Sequence, residues 1–205
     1  MRVTETELDG VFIVEPQVFG DARGWFMETY SKKKTPQINC DFVQDNQSYS
    51  AQKGTLRGIH FQSPPMAQAK LLRCSRGALM DFAIDLRPES KSFKKWISVE
   101  LSEENKKQLF IPRGFGHAFI SLTDDTELLY KADNYYSPEH DRAIRWSDPD
   151  IGIMWGESEP IVSERDAKAP LLRELIMDNN KWKVDLNELD CHAARKAARN
   201  DGGSQ

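Results

Sequence analysis

Cysteines and long apolar runs are both scarce in this chain of 205 residues. The three cysteines, Cys40, Cys74 and Cys191, are odd in number and widely spaced, so they predict neither a disulfide framework nor a CxxC metal site. No apolar stretch approaches the roughly 20 residues of a membrane span, and the first residues lack the apolar segment of a signal peptide. These absences predict a cytoplasmic protein that makes no contact with a membrane.

An excess of positive charge is also missing. Lys and Arg number 28 against 32 Asp and Glu, which gives a net charge of −4. This balance disfavours nucleic acid as the main partner, although a few local arginines suffice for a small anionic ligand. The length predicts one domain with its own core. We place this domain at residues 1–184 and a tail, partly helical or disordered, at residues 185–205.

Helical periodicity is rare, whereas short β-forming runs recur between clusters of Gly, Pro, Asp and Ser. We predict strands at 11–14, 25–30, 42–50, 55–62, 70–74, 77–86, 96–101, 109–112, 118–122 and 126–130. In the run 77–86, Phe82 and Ile84 alternate with Asp81 and Asp85 at the period of two that a strand requires. Many short strands at this spacing predict a β-sandwich, a jelly roll or a barrel.

Helices are expected only late in the chain. Short helical patterns cover Leu171–Met177, after Pro170, and Leu186–Arg199. From about residue 137 the strand alternation fades into polar segments, which we expect to form loops over the mouth of a barrel.

An arginine and a histidine stand in the predicted strand 55–62. Arg57 and His60 are costly to bury without partners, and a histidine suits proton transfer near neutral pH. Strict alternation would place the two side chains on opposite faces of the strand. If both serve one site, Gly58 between them should mark a bulge or a twist of the strand.

A second histidine ends the pattern Pro112-x-Gly114-x-x-His117. This pattern resembles the second motif of the cupin superfamily, whose first motif supplies two histidines and a glutamate to a metal. Neither a second histidine nor a glutamate stands near His60, and two histidines alone make a poor transition-metal site. We therefore predict a cupin-like barrel without a metal. A metal-dependent cupin, with carboxylates from distant loops, is the alternative.

An ordered series of short motifs between about Val11 and Leu172 extends the resemblance. These motifs are Phe19–Glu28, Gln44–Ser48, Leu56–Gln62, Ala69–Leu72, Asp85–Arg87, Leu101–Asn105, Ile111–His117, Leu129–Lys131, Tyr135–Glu139, Trp146–Pro149 and Ser163–Asp166. As a set they resemble the dTDP-4-dehydrorhamnose 3,5-epimerase family of sugar-nucleotide epimerases. The resemblance implies an all-β, jelly-roll or cupin-like barrel with a few short helices near the C-terminus.

The resemblance also implies a cofactor-free reaction. The substrate would be a nucleoside diphosphate carrying a 4-keto-6-deoxy hexose, whose carbons 3 and 5 flank the ketone and lose protons to form an enolate. His60 would act as the base and Asp166 would orient it. Tyr130 would return the proton from the opposite face, and Lys70 would stabilise the enolate oxygen. Taken singly, each of these residues has an ordinary structural explanation.

Further residues are implied in substrate binding. Arg23 and Arg57 would hold the diphosphate, because their planar guanidinium groups match phosphate oxygens. The rest of the nucleotide and the sugar would contact Phe19, Glu28, Gln44, Asn46 and His117. In this family some of these groups cross a dimer interface, so the resemblance implies a homodimer.

Three departures from the family pattern bear on the substrate rather than on the reaction. The chain has Gly116-His117-Ala118 where Ala-His-Gly is usual, Asp141 where a glutamate is common, and Arg165 where a lysine is common. We expect Asp141 and Arg165 to contact the substrate. Two other interpretations stay open: an epimerase or ketoisomerase that acts at one carbon of a related 4-keto sugar nucleotide, and a non-catalytic sugar-nucleotide-binding protein.

Overall fold

Two stacked antiparallel β-sheets form the body of the protein. The computed structural model describes residues 1–156 and 159–178. Its elements are β1 Arg2–Glu5, β2 Phe12–Glu15, β3 Val18–Asp21, β4 Gly24–Met27, β5 Gln44–Ser50, β6 Leu56–Gln62, β7 Lys70–Arg76, β8 Ala78–Asp85, β9 Trp96–Ser102, β10 Gln108–Ile111, β11 Phe115–Ser121, β12 Thr126–Ala132, β13 Asp141–Ala143, α1 Glu164–Ala167 and α2 Leu172–Met177. One sheet has the order β1-β2-β10-β7-β12-β5 and the other β13-β6-β11-β8-β9, while β3 and β4 form a separate hairpin.

The predicted all-β architecture with short helices near the C-terminus is confirmed. The helix predicted at Leu171–Met177 is present as α2. Besides α2, the segment after residue 137 contains β13 and α1, which the expectation of polar loops there did not include. The predicted helix at Leu186–Arg199 and the boundary at residue 184 lie outside the described residues. Across residues 1–156 and 159–178, no helix is long and apolar enough to cross a membrane.

Apolar clusters fill the space between the sheets and cover both outer faces. Leu72 of the six-stranded sheet and Leu79 of the five-stranded sheet belong to the middle cluster. Phe82, on the outer face of the five-stranded sheet, packs against Trp155, with ring centroids 4.7 Å apart. Ile38 covers the outer face of the six-stranded sheet. The chain after β13 and the segment before β5 therefore act as outer layers that keep the sheets dry.

The alternation in β8 separates two buried faces rather than a buried face from a solvent face. Asp81 and Asp85 are both 0% exposed. Asp85 is paired with Arg87, whose Nη2 lies 2.8 Å from Oδ2. Asp81 lies instead beside His117, whose Nε2 is 2.9 Å from its Oδ1. The space between the sheets is thus apolar over much of its length and polar at one end.

The bulge expected at Gly58 is present. In the pairing of β6 with β11, His60 lies opposite His117 and Arg57 lies opposite Phe119, so three steps along β6 match two along β11. The extra residue brings Arg57 and His60 to the same face of the sheet. Gly58 has a φ of +131°, a backbone conformation that residues with a side chain rarely adopt.

Replacing Gly58 by alanine should destabilise the fold. A Cβ at this position would lie 2.4 Å from the Cβ of Ala118, so backbone strain and overpacking together should lower the free energy of unfolding by about 2 to 6 kcal/mol. Gly54→Ala is the matched control, because Gly54 also has a positive φ but no described atom beyond its chain neighbours lies within 4 Å of its Cβ position. Equal losses in the two variants, measured by urea unfolding, would contradict the packing argument.

Candidate active site

A cavity of about 250 Å³ opens at the polar end of the space between the sheets. Its lining residues are Ser48, Arg57, His60, Phe61, Gln62, Gln68, Lys70, His117, Phe119, Leu128, Tyr130, Tyr136, Asp141 and Arg165. A groove beside α1 is larger, at about 530 Å³, but neither histidine nor tyrosine lines it. The smaller cavity combines imidazole, ammonium, phenol and guanidinium groups, so it is the candidate active site.

His60 and Asp166 form a close pair at one wall of the cavity. His60 Nε2 lies 2.6 Å from Asp166 Oδ1, and the backbone N–H of Gly58 donates to Oδ2 of the same carboxylate at 3.4 Å. Burial alone would raise the pKa of Asp166, but the hydrogen bonds from His60 and Gly58 hold it below its ordinary value. A charged, buried Asp166 therefore orients the imidazole, whose side chain is 30% exposed toward the cavity.

Lys70 and Tyr130 face His60 from the six-stranded sheet. The Lys70 Nζ lies 5.7 Å from the centre of the Tyr130 ring. Burial lowers the pKa of Lys70 to about 8, against the attraction of Asp81 and Asp141. Burial raises the pKa of Tyr130, and the negative charge of Asp141 adds to that increase. The wall opposite His60 thus holds a protonated phenol and an ammonium group at neutral pH.

Asp81 is a site residue that the sequence analysis did not single out. Its carboxylate lies 2.9 Å from His117 Nε2, yet neither oxygen has a well-directed hydrogen bond among the described residues. The geometry is that of a close polar contact rather than a linear hydrogen bond. Burial lowers the pKa of His117, and Asp81 opposes that decrease only in part. The signal for Asp81 was present, since the alternation in β8 placed a carboxylate on the face opposite the apolar residues.

Further polar groups lie on β5 and β6, with Arg57 and Ser48 at the cavity and Asn46 beside it. Among the described residues Arg57 has no ion pair, and its Nη2 donates to the carbonyl of Tyr49 at 2.9 Å. Ser48 was missed by the sequence analysis, although it lies two residues from Asn46 and so shares its face of β5. The Ser48 Oγ and the Asn46 amide nitrogen are buried without hydrogen bonds to any described group, and Asn46 lies opposite Tyr130 in the sheet.

Asp141 and Arg165, both expected from the resemblance, meet at the rim of the cavity. Arg165 Nη2 lies 2.8 Å from Asp141 Oδ2, and the hydroxyl of Tyr136 donates to the same oxygen at 3.1 Å. The backbone N–H of Tyr136 donates to the side-chain oxygen of Gln44 at 3.0 Å. Gln44 is therefore linked to the rim without lining the cavity itself.

Besides Gln44 and Asn46, which lie beside the cavity without lining it, three expected substrate-binding residues lie on or next to the β3–β4 hairpin. Phe19 and Arg23 lie on the hairpin, where they line a separate surface groove. Arg23 is paired there with Asp21, with Nη2 2.6 Å from Oδ2. Glu28 follows the hairpin and pairs with Lys34 at 3.1 Å. Within one chain, the hairpin and the cavity are separate features.

A metal site is not formed by the described residues. Across residues 1–156 and 159–178, no group of three or more His, Cys, Asp or Glu side chains is arranged to hold a metal ion. The cavity region instead contains two separate imidazole–carboxylate pairs, His60 with Asp166 and His117 with Asp81.

Comparison with known proteins gives a consistent result. The family model described as dTDP-4-dehydrorhamnose 3,5-epimerase matches residues 5–174. The enzyme of that name from Salmonella typhimurium is 48% identical over 181 residues, covering 86% of this chain and 98% of the relative.

Solved structures agree with the sequence match. The dTDP-6-deoxy-D-glucose-3,5-epimerase RmlC from Legionella pneumophila, in complex with dTDP-4-keto-L-rhamnose, is 38% identical with a TM-score of 0.80, covering 92% of this chain and 96% of that one. A double mutant of ChmJ, a 3′-monoepimerase from Streptomyces bikiniensis in complex with dTDP, is 31% identical with a TM-score of 0.84, covering 95% and 98%. With this fold, this cavity and these relatives, the chain belongs to the dTDP-4-dehydrorhamnose 3,5-epimerase family of isomerases.

Proposed function

We propose that the protein removes and returns protons at carbons 3 and 5 of a dTDP-linked 4-keto-6-deoxyhexose. The observation that carries this proposal is the cavity itself, in which His60, backed by Asp166, faces Tyr130 and Lys70 from the other sheet. The dTDP-4-keto-L-rhamnose bound to the Legionella relative supports a thymidine-linked substrate for this chain.

The chemistry follows from the position of each group. Because Asp166 binds Nε2 of His60, Nδ1 is the ring nitrogen that takes the substrate proton, and the carboxylate stabilises the resulting imidazolium. The electrons move onto the C4 oxygen as an enolate, which the Lys70 ammonium stabilises. Tyr130 returns a proton from the opposite side, which inverts the carbon. His117 and Ser48 border the same space and contact the hexose.

We propose that the diphosphate binds at a cationic side chain that has no carboxylate partner among the described residues. Arg57 has no carboxylate partner among the described residues and opens to the cavity beside His60. Gln44 and Asn46, on the neighbouring strand β5, would contact the sugar or base of the nucleotide. Asp141 and Arg165, at the rim, would border the path of the substrate.

A homodimer would complete this site. The hairpin exposes Phe19 at 56%, Trp25 at 57% and Phe26 at 70%, an apolar surface that a lone chain leaves in water. Among the described residues, strand β5 is the last strand of the six-stranded sheet and has no strand on its outer side, which makes this edge a natural place for a second chain. We infer that the hairpin packs on a second copy and brings Phe19, Arg23 and Glu28 to the site of that copy.

The domain and its location are part of the same proposal. We infer that residues 1–184 form one epimerase domain that works in the cytoplasm. The three cysteines are odd in number and widely spaced along the sequence, which suits a reducing compartment.

An epimerase that acts at one carbon only is the second candidate. The similarity to ChmJ, a 3′-monoepimerase, favours it, because the same fold serves that reaction. The difference lies in which carbon the pocket holds between base and acid, so an assay must report the carbons separately.

Exchange with deuterated water tests the reaction and its positions together. Incubation with dTDP-4-keto-6-deoxyglucose in deuterium oxide should place deuterium at C3 and C5, read by mass spectrometry and NMR. His60→Asn should slow exchange by about 100- to 10,000-fold, as loss of a general base does, while dTDP still binds. Label at one carbon alone would favour the single-carbon enzyme. Binding without any label would favour a non-catalytic binding protein.

The pH dependence should report Lys70. Because the pKa of Lys70 is about 8 and the charged form stabilises the enolate, kcat/KM should fall as the pH rises through this value. Lys70→Arg should move the fall to higher pH, since a guanidinium keeps its charge. Asp81→Asn removes a carboxylate that raises the pKa of Lys70, so the fall should move to lower pH. If kcat/KM fell at the same pH in all three proteins, Lys70 would be excluded as the group whose deprotonation causes the fall.

Mixed dimers test whether the hairpin serves the partner. Co-expression of His60→Asn with Arg23→Ala should restore activity, because the mixed dimer joins an intact His60 to an intact Arg23 from the other chain. Random pairing predicts about a quarter of wild-type activity. His60→Asn with Lys70→Gln is the control, since both changes lie in the same cavity of one chain and mixing cannot rebuild it. Equal activity in the two mixtures would contradict exchange of the hairpin.

A further inference from the structure

Gln62 is a buried amide at the cavity whose side chain binds backbone groups. It follows His60 by two residues on β6 and is 7% exposed. Its Nε2 donates to the carbonyl of Met66 at 2.6 Å and to that of Tyr135 at 3.1 Å. Its Oε1 accepts the backbone N–H of Ser137 at 2.7 Å. Both amide hydrogens and the carbonyl oxygen therefore have partners within the protein.

Two of these hydrogen bonds bracket Tyr136, a residue that lines the cavity. The carbonyl of Tyr135 and the N–H of Ser137 belong to the two peptide groups on either side of Tyr136, and both bind Gln62. Because the peptide groups are planar, fixing both of them fixes the two backbone dihedrals of the residue between them. Gln62 thus sets the direction in which the Tyr136 side chain leaves the backbone.

Other contacts hold the two ends of the loop between β12 and β13. Near its start, Gln68 Nε2 donates to the carbonyl of Asn134 at 2.8 Å. Near its end, the N–H of Ser63 donates to the carbonyl of His140 at 2.9 Å, and His140 Nδ1 lies 2.8 Å from the hydroxyl oxygen of Ser137. Loss of the Gln62 amide should therefore leave the loop attached to the sheet and release its middle.

Tyr136 has two further contacts, and both run to residues that the proposed function places beside the substrate. Its N–H donates to Gln44 at 3.0 Å and its hydroxyl to Asp141 at 3.1 Å. An incoming substrate would compete for these two partners. The three hydrogen bonds of Gln62 run to the chain's own backbone, so they can hold Tyr136 in place both before and after the substrate binds.

We propose that Gln62 is a positioning residue that fixes Tyr136 at the rim of the cavity and so prepares the site to bind the dTDP part of the substrate. The proposal rests on the proposed function, because it takes dTDP as the ligand. Gln62 acts on binding rather than on proton transfer. Without its amide, Tyr136 adopts several orientations, and the apparent affinity falls with the fraction of molecules that can accept the ligand.

Gln62→Met tests this role, because it keeps an unbranched side chain and removes all three hydrogen bonds. The Kd of dTDP, measured by calorimetry, and the KM should rise by about 5- to 50-fold, whereas kcat should fall by less than about threefold. Gln62→Glu keeps the shape and one acceptor but loses both donors. It should also weaken dTDP binding, and it carries the test if the methionine variant does not fold.

A double substitution tests whether Gln62 acts through Tyr136. Tyr136→Ala alone should weaken dTDP binding. Gln62→Met/Tyr136→Ala should bind dTDP no more weakly than Tyr136→Ala, because the second change removes the side chain that Gln62 positions. Losses that multiply in the double variant would overturn the role, as would an unchanged Kd in Gln62→Met.

Asp148 offers a matched control for a general loss of stability. It is 2% exposed, and its carboxylate accepts three backbone N–H groups, from Asp150, Ile151 and Leu172. Ile151 and Leu172 belong to the cluster on the outer face of the five-stranded sheet. Asp148→Ala should unfold at lower urea concentration than the wild type and bind dTDP within about twofold of it. A rise in Kd as large as that of Gln62→Met would overturn the positioning role.

Hydrogen exchange at the N–H of Ser137 tests the contact itself, without ligand or turnover. Measured by NMR, its protection should fall by at least about tenfold in Gln62→Met and persist in Asp148→Ala. Protection that persists in Gln62→Met would overturn the proposal. Lost protection together with weaker dTDP binding would support it even if no substrate carbon takes up deuterium, in which case the proposed reaction alone would fail.

Discussion

One extra residue in strand β6 is the constraint on which the site depends. In a regular strand Arg57 and His60 would point to opposite faces, and only one of them would reach the space between the sheets. The bulge at Gly58 brings both into one cavity. It also places the Gly58 N–H 3.4 Å from the Asp166 carboxylate, so the same irregularity helps to hold the partner of His60. A Cβ at residue 58 would collide with Ala118, which ties the bulge to this particular neighbour on β11.

The charges inside the cavity are balanced in a way that suits proton transfer. Asp166 lies behind His60, while Asp81 and Asp141 raise the pKa of Lys70 against the effect of burial. Asp141 also helps to keep Tyr130 protonated. The proposed base, His60, is therefore backed by a carboxylate on one wall, and the opposite wall holds the proposed proton donor and a cation. Burial makes each of these interactions stronger than it would be in water.

Much of the fold followed from local patterns in the sequence. The short alternating runs predicted most of the strands, and the register demand on Arg57 and His60 predicted the bulge. The strands β1, β3 and β13 were missed because they have only three or four residues each, too few to show a clear alternation. The β8 alternation was recognised, but buried and solvent-exposed faces cannot be told apart from periodicity alone.

The site was predictable only in part for a related reason. His60, Lys70, Tyr130, His117 and Asp166 come from distant segments, and no spacing rule brings them together. They were identified through the resemblance to a family, and the sheet register places them around the cavity between the sheets. Asp81 and Ser48 were missed because, in the sequence, each looks like an ordinary strand residue. Their place at the site becomes visible only when the facing sheet is known. For Phe19 and Arg23 the opposite holds. The resemblance assigns them to substrate binding, but within a single chain they lie on the hairpin, away from the cavity.

The central claim is that base and acid lie on opposite faces of the same hexose. A crystal structure with a stable dTDP-hexose analogue tests this most directly. We expect the hexose between the sheets, with His60 Nδ1 near C3 or C5 on one face of the ring and the Tyr130 hydroxyl on the other. A hexose outside this cavity, or His60 and Tyr130 on the same face of the ring, would contradict the account.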